Sequence, residues 1–142
     1  MKRINWDLEE AVALYDLYFK SGQTFSIDKD KLKQLSEILN KRAKLKGWIV
    51  DDKFRNVTGL SMQVATIHYI VTGGKEGLKN SSKIFREVYD LYKEAPEKFD
   101  RMVKEFYLKY EWVKEVNGLI FYEVGVESIK VEYPDNKASY IL

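Results

Sequence analysis

Residues 54–78, FRNVTGLSMQVATIHYIVTGGKEGL, carry the clearest helical pattern in the chain. Their apolar residues recur at three- and four-residue spacing and fall on one stripe of a helix: Val57, Leu60, Val64, Ile67 and Val71. Such a stripe is typical of a helix that lies on a core. Asn56 is the natural N-cap of this helix, and Gly73 follows its last turn. The same wheel predicts that Arg55, Thr58, Met62, Thr66 and Tyr69 lie on the outward face.

The sequence predicts four further helices. Asp7 and Glu10 have the spacing of a capping box, so the first helix begins near Asp7 and ends at Ser21 and Gly22. A second helix runs from Asp28 or Lys29 to Lys46 and is ended by Gly47. A fourth is capped by one of the residues at 80–82 (Asn80, Ser81 or Ser82), and a fifth has Pro96 in its first turn.

The last thirty residues have the pattern of short strands. WVKEV and LIFYEV flank Asn117-Gly118, a pair that favours a type I′ hairpin turn, and a second hairpin is expected around Pro134. The predicted fold class is therefore α+β. About five helices, including a helix-turn-helix-like element, precede a small antiparallel β-meander. We expect residues 1–110 to form a helical domain resembling nucleic-acid-binding domains, and residues 111–142 to be a β-hairpin extension packed on it within one structural domain.

Composition excludes several classes of protein. A chain of 142 residues with 45% hydrophobic content suits one folded domain, and its apolar runs are far shorter than the roughly 20 residues of a membrane span. The sequence lacks cysteine and has no visible secretory signal. We therefore expect a cytoplasmic protein that does not enter a membrane.

Catalytic chemistry has few candidate residues in this sequence. Zinc and iron sites draw on His and Cys, and the chain has one histidine, His68, at the flank of the apolar stripe. The paired acids Glu9-Glu10 are explained by helix capping, and Gly73-Gly74-Lys75 lacks the spacing of a phosphate loop. We expect no catalytic residue, no metal site and no cofactor.

Charge is distributed unevenly along the chain. Residues 41–86 carry 10 Lys/Arg against 3 Asp/Glu, whereas residues 87–142 carry 8 against 12. Lys75, Lys79, Lys83 and Arg55 could line one surface that contacts nucleic-acid phosphates. The alternative is that these side chains only solvate a loop.

Two segments resemble a known family. WDLEEAVALYDLYFK at 6–20 and FRNVTGLSMQVATIHYIVTGGKEGLKNSSKIFREVYDLY at 54–92 are similar to the helical N-terminal domain attached to HNH-type restriction endonucleases. The resemblance covers about residues 4–95 and implies a nucleic-acid-targeting module, with Arg55, Asn56 and the turn at 73–79 in the matching positions. Gln63 stands where the family usually has Lys or Arg, and Thr66 stands where Asn is common. The resemblance implies no catalysis here, because an HNH nuclease needs more histidines than His68 alone.

Two functions follow from this resemblance. The first is a non-catalytic module that binds double-stranded DNA. The second is a small phage or mobile-element protein that inhibits a nuclease, such as a CRISPR effector, by binding a nuclease–nucleic acid complex as an anti-CRISPR would. Tyrosine-rich helix faces and strand edges also permit a homodimer. For either function the predicted contact residues are Arg55, Asn56, Thr58, Met62, Gln63, Thr66, Tyr69, Lys75, Lys79 and Lys83.

Overall fold

The computed structural model describes residues 3–79 and 82–111 with their side chains, and the backbone of residues 113–116, 119–124, 128–132 and 138–141. Five helices occupy the first part: α1 (Leu8–Lys20), α2 (Lys29–Leu45), α3 (Val57–Val71), α4 (Lys83–Glu94) and α5 (Pro96–Tyr110). Across the described residues, no helix combines the length and apolar character needed to cross a membrane.

The helix starts follow the capping residues of the sequence. The Asp7 side chain accepts a hydrogen bond from the Glu10 backbone N–H, and the Glu10 carboxylate accepts one from the Asp7 N–H, which completes the predicted capping box. Asn56 caps α3 by accepting from the Gly59 N–H at 2.8 Å, and Pro96 occupies the first turn of α5. The predicted starts of these three helices are confirmed. Asn80 and Ser81 lie outside the described residues.

Helix α1 lies at the centre of the helical domain and contacts the other four helices. Its residues 11–15 are fully buried. The surrounding helices each contribute fully or almost fully buried side chains to this core, for example Leu39 from α2, Val64 from α3, Phe85 from α4 and Phe106 from α5. Burial of apolar surface around α1 therefore holds the five helices together.

Helix α3 lies on the core with nearly the predicted rotation. Leu60, Val64 and Ile67 are fully buried, and Met62 is exposed. Thr66, predicted to face outward, is buried, and its hydroxyl donates to the Met62 carbonyl at 3.3 Å. This prediction was wrong because it assumed a single buried stripe, whereas α3 packs against α1, α2 and α4 and is covered on more than one side.

The α+β class predicted from the sequence is corrected here to an all-helical fold. Residues 3–79 and 82–111, the part of the chain described with side chains, form five helices and contain no strand. The prediction extended local strand and turn signals of the C-terminal sequence to the class of the whole fold.

After α5 only backbone is described. It runs through β1 (Val113–Val116), β2 (Leu119–Val124), β3 (Ser128–Glu132) and β4 (Ala138–Ile141), with antiparallel neighbours in the order β1-β2-β3-β4. The predicted turns at Asn117-Gly118 and around Pro134 lie outside the described residues. The fold class is therefore assigned from residues 3–79 and 82–111, whose side chains the structure describes.

The helix-turn-helix-like element predicted from the sequence corresponds to α2, the connection at 46–56 and α3. In a helix-turn-helix the N-terminal residues of the second helix contact DNA. In this chain the residues before α3 are hydrogen-bonded to α2. The Ser36 hydroxyl donates to the Arg55 carbonyl at 2.7 Å, and the Asn40 amide donates to the Phe54 carbonyl at 2.9 Å. The start of α3 is thus held against the body of the domain.

Candidate nucleic-acid interface

Arg55, the cation predicted to lead the interface, forms an internal ion pair. Its Nε and Nη2 atoms donate to the two carboxylate oxygens of Glu10 at 2.7 and 3.0 Å, and Nη2 also donates to the Ile4 carbonyl at 3.2 Å. The guanidinium lies 4.6 Å from the Trp6 ring centroid and 4.4 Å from that of Phe54. Only 9% of the Arg55 side chain and none of the Glu10 side chain is exposed. Arg55 therefore joins α1 to the start of α3.

Arg42 forms a second internal cluster that the sequence did not reveal. Its Nη2 donates to Asp7 at 2.7 Å and to Glu9 at 3.1 Å, and its guanidinium lies over the rings of Trp48 and Tyr110. Burial alone would lower the pKa of this guanidinium, but the hydrogen bonds and charges of the two carboxylates outweigh burial and raise the pKa. Arg42 therefore stays charged inside the domain.

These two clusters occupy two of the predicted cations of the basic middle part of the chain. The acids at the start of α1 neutralise Arg42 and Arg55, so two of the ten cations counted in residues 41–86 are unavailable to a partner. Asn56 is likewise occupied, because its side chain caps α3. At this end of the domain, these residues hold the fold together.

The glycine-rich turn after α3 folds back along the same helix. Gly77 has φ +100°, and a Cβ there would overlap the Ala65 carbonyl and the Tyr69 N–H, so the turn requires glycine at this position. The next residue, Leu78, donates its N–H to Ala65 O at 3.0 Å. This return path leaves Lys75 exposed on the outside of the turn.

Basic side chains remain exposed on this side of the domain. Lys75 and Lys79 are exposed, and neither forms an ion pair with any residue that the structure describes. Lys83 opens α4, is almost fully exposed and lies 3.7 Å from Glu87. These three of the predicted cations are therefore accessible to a polyanion.

A polar pocket of about 410 Å³ lies at the N-terminus of α4. Arg3, Gln63, Ser82 and Lys83 contribute polar groups to it, beside the already paired Arg55. Ser82 occupies the N-cap position but its side chain makes no capping hydrogen bond. The first turn of α4 thus lacks a side-chain cap, and the positive end of the helix dipole lies at this pocket.

The remaining predicted contact residues are divided between surface and interior. Thr58 and Met62 are exposed, Gln63 and Tyr69 are half-buried, and Thr66 is buried. The five do not form one continuous outward face, because the returning glycine-rich turn covers α3 near Tyr69.

His68, predicted to be a boundary residue, is buried and bridges two elements. Its Nδ1 lies 2.7 Å from the Tyr18 hydroxyl of α1, and its Nε2 lies 3.2 Å from a carboxylate oxygen of Glu76 in the glycine-rich turn. A neutral imidazole with its proton on Nε2 satisfies both contacts, since it accepts from Tyr18 and donates to Glu76. Burial raises the pKa of Tyr18 to about 12, so the hydroxyl keeps its proton at neutral pH. His68 thus joins α1, α3 and the turn.

Clusters of three or more His, Cys, Asp or Glu side chains with metal-binding geometry are not found among the described residues. The chain matches no known protein family, no curated protein and no solved structure.

Proposed function

We propose that the helical domain is a non-catalytic, cytoplasmic DNA-binding module related to the targeting domain of HNH restriction endonucleases. The observation that carries this proposal is the set of exposed cations in and after the glycine-rich turn. Lys75 and Lys79 are exposed in the turn, and Lys83 is exposed at the N-terminus of α4, where it lines the polar pocket with Arg3, whereas Arg42 and Arg55 are neutralised internally. We call Lys75, Lys79 and Lys83 the basic surface.

The basic surface contacts the phosphate backbone. Lysine is a flexible point charge with no acceptor, which suits phosphate contact and gives little discrimination between bases. The N–H groups at the start of α4 add a fixed positive dipole at the same place. Binding is therefore expected to be largely independent of sequence and to weaken with salt, because condensed counterions are released when phosphates are neutralised.

The test is a fluorescence-anisotropy titration of labelled duplex DNA in a series of salt concentrations. The triple variant Lys75→Ala, Lys79→Ala, Lys83→Ala removes the basic surface. The matched control Lys98→Ala, Lys104→Ala, Lys109→Ala removes three exposed lysines from α5 and changes the net charge equally. We expect the first variant to lose most of its affinity and the control to lose little. Equal losses would mean that only net charge matters and would reject the basic surface.

The proposal includes an absence of catalysis. The single histidine of the chain is buried and connects Tyr18 to Glu76, and zinc or iron sites and Ser–His or Cys–His nucleophiles need more His and Cys than the sequence contains. Incubation of plasmid DNA with the protein and Mg²⁺ tests this statement. Cleavage that copurifies with the protein and disappears in a single-residue variant would contradict it.

Nuclease inhibition is the second candidate function. It is favoured by the exposed apolar side chain of Met62 on α3, since such a residue suits a protein contact better than a phosphate contact. An inhibitor would form a stoichiometric complex with a nuclease and bind bare DNA weakly. The salt series distinguishes the two functions, because an inhibitor of this kind gives no salt-dependent binding to duplex DNA alone.

A further inference from the structure

An apolar groove of about 520 Å³ lies on the domain beside the end of the glycine-rich turn. It is formed by the α1–α2 loop, the start of α2, one face of α3 and the end of the glycine-rich turn. Its lining consists of Phe25, Ser26, Ile27, Lys29, Leu32, Val57, Thr58, Ser61, Met62, Ala65 and Leu78. We call this feature the apolar groove.

The apolar groove concentrates exposed apolar side chains. Six large apolar side chains are exposed in the part of the chain described with side chains, and three of them, Phe25, Met62 and Leu78, line the groove. Scattered apolar residues are normal on a surface, but convergence of several on one concavity marks an interaction site.

The backbone at the groove is shaped to present Leu78. Gly77 adopts φ +100° in close contact with the backbone of α3, and the Leu78 N–H is bonded to the Ala65 carbonyl. Leu78 is therefore held at the groove while its side chain remains partly exposed. Phe25 similarly packs against His68, with ring centroids 5.0 Å apart, and stays half-exposed. Both side chains are fixed in place before any partner arrives.

Charge identifies the kind of partner. Lys29 is the one charged residue of the groove lining, and it lies in the first turn of α2, where the helix dipole is also positive. The neighbouring Asp28 does not line the groove, and its side chain accepts from the Asp30 N–H as the cap of α2. The groove thus offers an apolar floor with a positive edge.

We propose that the apolar groove binds an amphipathic helix of a partner protein, with apolar side chains on the floor and a carboxylate facing Lys29. Duplex DNA does not fit this surface, because its phosphates gain nothing from an apolar floor. An added β-strand does not fit either, because the lining residues belong to helices and loops and supply no strand edge. A second copy of the chain does not fit well either. Binding through a two-fold axis would bring two apolar grooves together, and the two Lys29 side chains at that interface would carry the same charge.

This proposal stands apart from the DNA-binding proposal. The lining of the apolar groove shares no residue with the polar pocket at the start of α4. Loss of DNA binding after substitution of Lys75 or Lys83 would therefore leave the groove intact. Loss of groove binding would likewise leave the salt-dependent DNA affinity unchanged.

The test uses two synthetic helical peptides, each labelled with fluorescein and titrated with the full chain by fluorescence anisotropy. Both carry leucines at the same three- and four-residue spacing. One has glutamates beside the leucine stripe, and the other has lysines at the same positions. We expect the Leu/Glu peptide to bind at least tenfold more tightly than the Leu/Lys peptide.

Three variants connect this binding to the groove. Met62→Ser removes an exposed groove side chain, so the fold is retained and Leu/Glu binding is expected to weaken about tenfold. Leu108→Ser is the matched control, since Leu108 is 61% exposed on α5 and Met62 is 56% exposed on α3. Lys29→Glu is expected to reverse the preference in favour of the Leu/Lys peptide. A glutamate also suits the first turn of α2, so this variant folds.

Several outcomes would overturn the proposal. These are a failure of both peptides to bind at about 1 mM, equal binding of the two peptides, and insensitivity of binding to Met62→Ser. Sedimentation equilibrium of the chain alone supplies the remaining control. A dimer that dissociates in Met62→Ser but persists in Leu108→Ser would show that the groove is occupied by a second copy, which also contradicts the proposal.

Discussion

Substitution of Glu10 by Gln tests the buried ion pair that joins α1 to α3. The amide of Gln has nearly the size of the carboxylate, and its oxygen can still accept from the Asp7 N–H, so the capping box survives. The change therefore isolates the loss of charge. Arg55 would keep its position between the rings of Trp6 and Phe54 but would lose the negative partner of its guanidinium.

The expected loss of stability is large for a single substitution. Arg55 is 9% exposed and Glu10 is fully buried, so water cannot replace the missing carboxylate. Removing one partner of such a pair costs about 3–5 kcal/mol, against a total unfolding free energy of about 5–15 kcal/mol for a domain. The matched control is Glu87→Gln, which breaks the exposed pair with Lys83 at 3.7 Å and is expected to cost less than about 1 kcal/mol.

Urea titration followed by circular dichroism measures both losses. A double variant, Glu10→Gln with Arg55→Met, removes both charges and keeps an unbranched side chain between the two rings. We expect it to be more stable than Glu10→Gln alone, because no unpaired charge remains buried. If Glu10→Gln costs no more than Glu87→Gln, or if the double variant is less stable than Glu10→Gln alone, the ion pair between Glu10 and Arg55 does not support the fold.

Three other predictions concern stability. Val64→Ala is expected to cost about 1–3 kcal/mol and Met62→Ala much less, and equal losses in a urea titration would show that α3 is rotated. Gly77→Ala is expected to cost at least about 1–3 kcal/mol because its Cβ meets the α3 backbone at positive φ, and an unchanged midpoint would contradict that contact. Burial raises the pKa of Tyr18 and Tyr107 from 10.0 to about 12. The two tyrosines therefore contribute fully to the free energy of unfolding below pH 10.0, and this contribution is lost as the pH rises through about 12. Unfolding free energies measured across this pH range are expected to fall with pH, and a rise would refute the prediction.

Local sequence signals predicted the helices well. Capping residues such as Asp7 and Asn56 act within three residues of their partners, so their effect is readable from spacing alone. The apolar stripe of α3 likewise placed Leu60 and Val64 in the core. The stripe failed to predict the burial of Thr66, because a single apolar stripe does not show that several elements cover the same helix.

The candidate site was predicted less well, because its residues are paired over long distances in sequence. Arg55 is bonded to Glu10, 45 positions earlier, and Arg42 to Asp7, 35 positions earlier. Nothing in the local pattern distinguishes such a cation from one that faces solvent. The acids in the first turn of α1 were explained by capping alone, and their second role as partners of arginine needed the fold.

We propose that the basic surface, and not Arg55, contacts phosphates. The most direct measurement is the slope of log binding constant against log salt concentration for duplex DNA, compared among single variants. Each of Lys75→Ala, Lys79→Ala and Lys83→Ala is expected to reduce the magnitude of the slope by about 0.9, as one phosphate contact is lost. The variant Glu10→Gln with Arg55→Met, compared under conditions where it is folded, is expected to keep the slope of the unsubstituted chain. A slope that falls in the variant Glu10→Gln with Arg55→Met and is unchanged by the lysine substitutions would show instead that Arg55 contacts the phosphates.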